Sequence, residues 1–305
     1  MTSQGSTLRS KTWKPKDKRC DSRPWNAAVW RWFPAVRFVF CSDSLSVVTS
    51  HDLHVEVQGP NDAPPLLLLH GWGSNAQNMV PLARALSDDY RTYAVDLPGH
   101  GASPPPPEPW GVPEHGRLLH TLLQDRIQQP VTVIGHSNGG RIALYMASTP
   151  ELASPIERLA LISPSGVRPE RSWDQALRAG IARTLKAPVE TLPTPLRTPA
   201  ADWLRHSLVW RWLGSSDYNA LSGVMRETFV KTVNFHLDDA LSRIQVPTLL
   251  FWGTQDDAVS RRQMDVLESQ IEDCGLVELE GAGHYGHLDD IDTVHSGIRY
   301  FLEHS

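Results

Sequence analysis

One segment constrains this chain more than any other. Val133-Ile134-Gly135-His136-Ser137-Asn138-Gly139-Gly140 carries G-x-S-x-G out of an apolar run that begins at Pro130. Arg141 to Ala147 then continues with helical spacing. Five residues of this kind are common by chance, and an ordinary Gly-rich turn is the bland alternative. Between a strand and a helix, however, they describe a sharp turn that lifts the Ser137 hydroxyl out of the sheet. Gly135 and Gly139 suit that turn, because side chains there would collide with the neighbouring strand and helix.

Two further segments fit the first. Pro65-Leu66-Leu67-Leu68-Leu69 is fully apolar, as in a parallel strand buried on both faces, and it ends in His70-Gly71-Trp72-Gly73. Arg91 to Val95 reads as another strand and runs into Asp96-Leu97-Pro98-Gly99-His100-Gly101-Ala102-Ser103. H-G-W-G, D-L-P-G-H-G-x-S and G-H-S-x-G-G, in this order, resemble the α/β-hydrolase family from about Leu45 to the C-terminus. That resemblance implies an α/β fold: a mostly parallel central sheet flanked by helices, with a mainly helical cap inserted before the acid-bearing strand.

The resemblance also implies a triad in the chain order Ser, Asp or Glu, His. Ser137 is the nucleophile. The acid follows the late strand Val246 to Trp252, where the family pattern G-x-x-D selects Asp256 from Gly253-Thr254-Gln255-Asp256-Asp257. Asp257 is the alternative. The strand Leu159 to Ile162 ends in Ser163-Pro164-Ser165-Gly166 without a carboxylate, so it offers no acid. Asp96 is expected to hydrogen-bond the turn containing Gly99 and Gly101. After a last strand, Gly275 to Glu280, Gly281-Ala282-Gly283-His284 resembles the family's G-A-G-H and makes His284 the base. His70, His100 and His136 are expected to be structural, and His287 a decoy. The backbone N–H groups of Trp72 and Asn138 are the expected oxyanion hole. His284, His287, Asp289 and Asp290 lack a metalloenzyme spacing, so neither a metal nor a cofactor is expected.

Composition agrees with a soluble enzyme of one large domain. Of 305 residues, 40% are hydrophobic and 21% charged, and the net charge of -5 gives no argument for nucleic-acid binding. Cys20, Cys41 and Cys274 show no metal or redox spacing, and their odd number argues against a disulfide framework. No apolar run reaches membrane-spanning length, and a cytoplasmic location is expected. The first forty residues differ: nine Lys or Arg against Asp17 and Asp21 give +7, leaving -12 for the remainder. Trp25, Trp30, Trp32, Phe33, Phe38 and Phe40 are interleaved there. Arg31, Pro34 and Arg37 interrupt any secretory signal core. A disordered extension is the favoured reading. Contact with an anionic membrane surface is the other, and Pro34 weakens it by breaking a continuous amphipathic helix.

The expected organisation is a basic extension over 1–43, a core over 44–167, a cap over 168–240 and the rest of the core over 241–305. The core should open with a hairpin, Leu45 to Ser50 and Leu53 to Gln58, and Pro113 to Gln124 should be helical. Trp173, Trp203, Trp210 and Trp212 fall in the cap, more often as its own core than as a pocket lining. The expected activity is hydrolysis of carboxylic esters of small or medium acyl groups through an acyl-enzyme. The substrate partner is a small-molecule ester. Haloalkane dehalogenases and epoxide hydrolases of the same fold carry Asp at the elbow and are excluded by Ser137. A carbon–carbon bond hydrolase usually has Trp after the catalytic His, where this chain has Tyr285. Lipase, peptidase, lactonase and acyltransferase readings stay open, as does a non-catalytic ligand receptor on the same fold.

Overall fold

The computed structural model describes residues 48–169 and 223–305. In chain order these form β1 (Val55–Gln58), β2 (Pro65–Leu69), α1 (Val80–Leu86), β3 (Arg91–Val95), α2 (Val112–Leu122), β4 (Val131–His136), α3 (Asn138–Ser148) and β5 (Ile156–Ile162). After the undescribed stretch come α4 (Gly223–Val233), β6 (Thr248–Gly253), α5 (Arg261–Gln270), β7 (Cys274–Leu279) and α6 (Ile291–His304). The seven strands make one sheet in the order β1-β3-β2-β4-β5-β6-β7. Only β1 runs antiparallel to its neighbour; every other pairing is parallel.

The apolar runs are long because both sheet faces are covered. Along β2, Leu67 and Leu69 join a cluster with Leu119 and Leu122 of α2, Ile142 and Met146 of α3, and Met264 and Leu267 of α5. Leu66 and Leu68 point the other way, into a cluster with Leu82 and Leu86 of α1 and Val294 and Ile298 of α6. This is the two-residue alternation of a strand with a helical layer on each side.

Local signals set the helix ends. Pro113 opens α2, and the Glu114 carboxylate accepts the Gly111 N–H at 2.8 Å. The Ser260 N–H donates to Gln263 Oε1 at 3.0 Å at the start of α5. The helix expected over Pro113 to Gln124 is α2, prolonged by a wider turn through Ile127.

Of the expected opening hairpin, Leu45 to Val47 lie outside the described residues, and the chain turns at His51-Asp52 as expected. Ser50–Asp52 is a short 3-10 turn, closed by the Asp52 carboxylate accepting the Thr49 N–H and Oγ1–H, both at 2.8 Å. β1 takes β3 as its antiparallel partner, with Val55 opposite Val95. The extension over 1–43 and most of the cap, including its four tryptophans, lie outside the described residues. Among the described residues no helix is long and apolar enough to cross a membrane.

Candidate active site

The chain passes from β2 to β3 on one side of the sheet, then crosses to β4 on the other. The crevice beyond the carboxyl ends of β2 and β4 is therefore the switch point of the sheet, where open α/β folds bind ligands. Gly71 and Trp72 follow β2 and Ser137 follows β4, so the sequence motifs arrive in this crevice. A Cβ at Gly71 would lie 3.0 Å from His136 Nδ1 and 3.2 Å from the Ser137 Cβ, so glycine lets the two turns close up. At the elbow, a Cβ on Gly139 would strike the Leu69 carbonyl of β2, and one on Gly135 would lie 2.8 Å from Gly140 Cα in α3. Both glycines answer to the contacts expected from the sequence.

Ser137 itself has φ 50° and ψ −110°, a conformation that non-glycine residues rarely hold. Its backbone is over-determined: the N–H donates to Ile162 O at 3.0 Å, and the carbonyl accepts from Ser165 and Arg141, each at 3.1 Å. The hydroxyl stands 3.0 Å from His284 Nε2. His284 Nδ1 lies 2.9 Å from Asp256 Oδ2 and 3.1 Å from Oδ1. The Asp256 side chain is fully buried and that of His284 is 18% exposed. Asp257 is exposed, so of the two candidate acids Asp256 is the one that meets His284.

Asp256 is held as an anion. Burial alone would raise its pKa, but the His284 hydrogen bond and the Val259 N–H outweigh that and keep it below the ordinary carboxylate value. Asp256 Oδ1 accepts the N–H groups of Ala258 at 2.8 Å and Val259 at 2.9 Å. Trp252 Nε1 donates to Val259 O at 2.8 Å and pins the far end of this loop. The loops carrying Asp256 and His284 are tied directly, by Gln255 N–H to Ala282 O at 2.9 Å and Gly281 N–H to Thr254 Oγ1 at 2.9 Å.

The other histidines are structural supports. His70 Nε2 accepts the Leu97 N–H at 2.9 Å while Nδ1 donates to Gly71 O at 2.7 Å, joining the turns after β2 and β3. Asp96 does the same for its own turn, accepting Ala102 N–H at 2.8 Å and Ala76 N–H at 2.7 Å. His136 Nε2 donates to the His284 carbonyl at 2.9 Å and sets the backbone under the base. His287 packs against the His136 ring at 4.7 Å and does not enter the Ser137–His284–Asp256 chain. Asp289 accepts the Gly283 N–H at 2.9 Å. Among the described residues no His, Cys, Asp and Glu cluster is arranged to hold a metal ion.

Over the same span, residues 64–291, the sequence matches the pattern of the α/β hydrolase fold. The chain belongs to the α/β-hydrolase family. This α/β hydrolase is 26% identical over 255 residues to a pimeloyl-[acyl-carrier protein] methyl ester esterase of Neisseria meningitidis serogroup C, covering 80% of this chain and 95% of that one. It is 24% identical to the human monoacylglycerol lipase ABHD6, over 74% of this chain and 71% of the other. The enol-lactonase structure from Burkholderia xenovorans LB400 superposes with a TM-score of 0.61 at 23% identity, covering 82% and 96% of the two chains. That structural likeness speaks for the fold.

In this α/β hydrolase the groups open into a pocket of about 250 Å³. Trp72, Asn138, Ser137 and His284 line it, with Phe229 and Thr232 of α4 and with Arg141. Asn138 is the first residue of α3, where the N–H has no partner inside the helix. Phe229 packs on Trp72 with ring centroids 5.1 Å apart. The sequence reading missed Arg141 and Thr232. The available signal for Arg141 was its place one helical turn beyond Ser137.

Burial of neutral histidines predicts acid lability. Desolvation pushes the pKa values of His70, His115 and His287 down to about 4 from 6.5. The unfolded chain takes up protons from about 6.5 downward, whereas the folded chain refuses them until about 4. Their contribution is therefore in place above pH 6.5 and is lost as the pH falls towards 4, at a limit of about 3 kcal/mol per group. The urea midpoint should drop clearly between pH 7.5 and 5. A midpoint unchanged over that interval would contradict the burial of neutral imidazoles.

Proposed function

We propose that this α/β hydrolase is a serine-dependent carboxylesterase acting on small or medium acyl groups through an acyl-enzyme. The observation that carries this reading is the hydrogen-bonded chain Ser137 Oγ, His284 Nε2, His284 Nδ1, Asp256 Oδ2. With Nδ1–H donated to the carboxylate, Nε2 bears the lone pair and faces the serine hydroxyl. His284 then takes the Oγ proton as Oγ attacks the ester carbonyl carbon. The carbonyl oxygen gains the negative charge and is met by the Trp72 and Asn138 N–H groups, each such donor worth about 10² to 10³ in turnover. The imidazolium, steadied by Asp256, returns its proton to the departing alkoxide. Water attacks the acyl-serine with His284 again as base, and the carboxylic acid leaves.

The ester preference is further supported by relatives whose names describe an ester hydrolase and a lipase. A pocket of about 250 Å³, walled in part by Trp72, Phe229 and Val233, suits a modest apolar acyl chain. Each CH₂ that reaches this wall adds up to about 0.8 kcal/mol, roughly fourfold in kcat/KM. The test is a series of p-nitrophenyl esters of increasing length. Efficiency should rise over the first few carbons and then fall sharply once the pocket is full. Absence of turnover at every length would favour a ligand receptor on this fold.

A further inference from the structure

Arg141 is a cation in an unusual place. It is 7% exposed and lines the same pocket as Ser137. Its Nη1 donates to the Thr232 carbonyl near the end of α4, while Nε is buried with no hydrogen-bond partner. Among the described residues no carboxylate pairs with it. Burial lowers its pKa only to about 10, so it stays charged at neutral pH. Thr232 also lines the pocket; it is 1% exposed and its Oγ1 is likewise buried without a partner. The Ser165 residue lines the pocket as well. A buried charge left unpaired is costly, and an anion entering the pocket beside it relieves that cost.

We propose that Arg141 and Thr232 form an anion-binding subsite beside Ser137, and that the ester substrate carries a carboxylate. The inference rests on the esterase reading and narrows its substrate class. Arginine suits the task because its planar donors match a carboxylate. Arg141 also ties α4 to the core, but a strut of that kind affects charged and neutral substrates alike.

The test is a ratio of kcat/KM values for matched pairs. On the acyl side the mono-p-nitrophenyl ester of adipic acid is compared with its ω-methyl ester. On the alcohol side 4-carboxyphenyl acetate is compared with its carboxyl-methylated form. Wild type should prefer the anionic member of one pair by about tenfold to a hundredfold, and that pair locates the carboxylate on the acyl or alcohol side. Arg141→Gln should abolish the preference relative to wild type, and Thr232→Val should reduce it. No preference in either pair, or ratios unchanged in Arg141→Gln, overturns the subsite while turnover of the neutral esters leaves the esterase reading standing. Should Arg141→Gln fail to fold, the wild-type ratios and the response to Thr232→Val decide. Should no ester turn over, calorimetric titration of wild type with monomethyl adipate decides, with dimethyl adipate as control. Binding of the monoanion alone supports the subsite, and no binding overturns it.

Discussion

Replacing Ser137 with Ala should lower turnover of p-nitrophenyl acetate by about 10⁶-fold, the scale at which a serine triad loses its nucleophile. The hydroxyl lies 3.0 Å from His284 Nε2, and alanine removes it. Alanine keeps the Cβ, so the strained backbone at φ 50° is left as it was. The thermal midpoint should therefore change little while activity disappears. His284→Ala should cost a comparable factor, and the two losses should not add, because the groups act as one unit. Residual activity within about tenfold of wild type in Ser137→Ala would mean that another group attacks the ester.

Asp256→Asn should reduce turnover by about 10⁴-fold, and the reason lies in which oxygen does what. Oδ1 accepts the N–H groups of Ala258 and Val259. An asparagine amide would keep its oxygen on these donors and turn its NH₂ towards His284 Nδ1. The imidazole must then accept at Nδ1 and carry its hydrogen at Nε2. In that tautomer Nε2 cannot take the Ser137 proton. Asp257 is exposed, and Asp257→Asn should stay within about twofold of wild type, as surface substitutions usually do. Steady-state kinetics of the two variants side by side checks this. The opposite ranking would assign the acid to Asp257.

The site was legible in the sequence wherever a motif is both local and sterically compelled. Gly71, Gly135 and Gly139 each stand where a Cβ would meet a neighbouring turn, helix or strand, so the motifs carry their own three-dimensional meaning. Pattern alone selected Asp256 over Asp257, and it is the Asp256 carboxylate that lies 2.9 Å from His284 Nδ1. The pairing of β1 with β3 was not legible, because a strand's own sequence does not name its neighbour. Val48 and Leu53 are buried on either side of the Thr49–Asp52 capping turn. Arg141 was passed over for a different reason, since its place one helical turn beyond Ser137 is a weak signal by itself. Its helical position is ordinary, and what matters is that among the described residues no carboxylate pairs with it, a property of what is packed around it.

Reaction with a fluorophosphonate tests the central claim most directly, because the reagent phosphonylates only an activated serine. Mass spectrometry of the digested protein should find a single adduct, on the peptide carrying Ser137. Labelling should vanish in Ser137→Ala and fall steeply in His284→Ala. An adduct on any other serine, or labelling that persists without His284, would contradict the account.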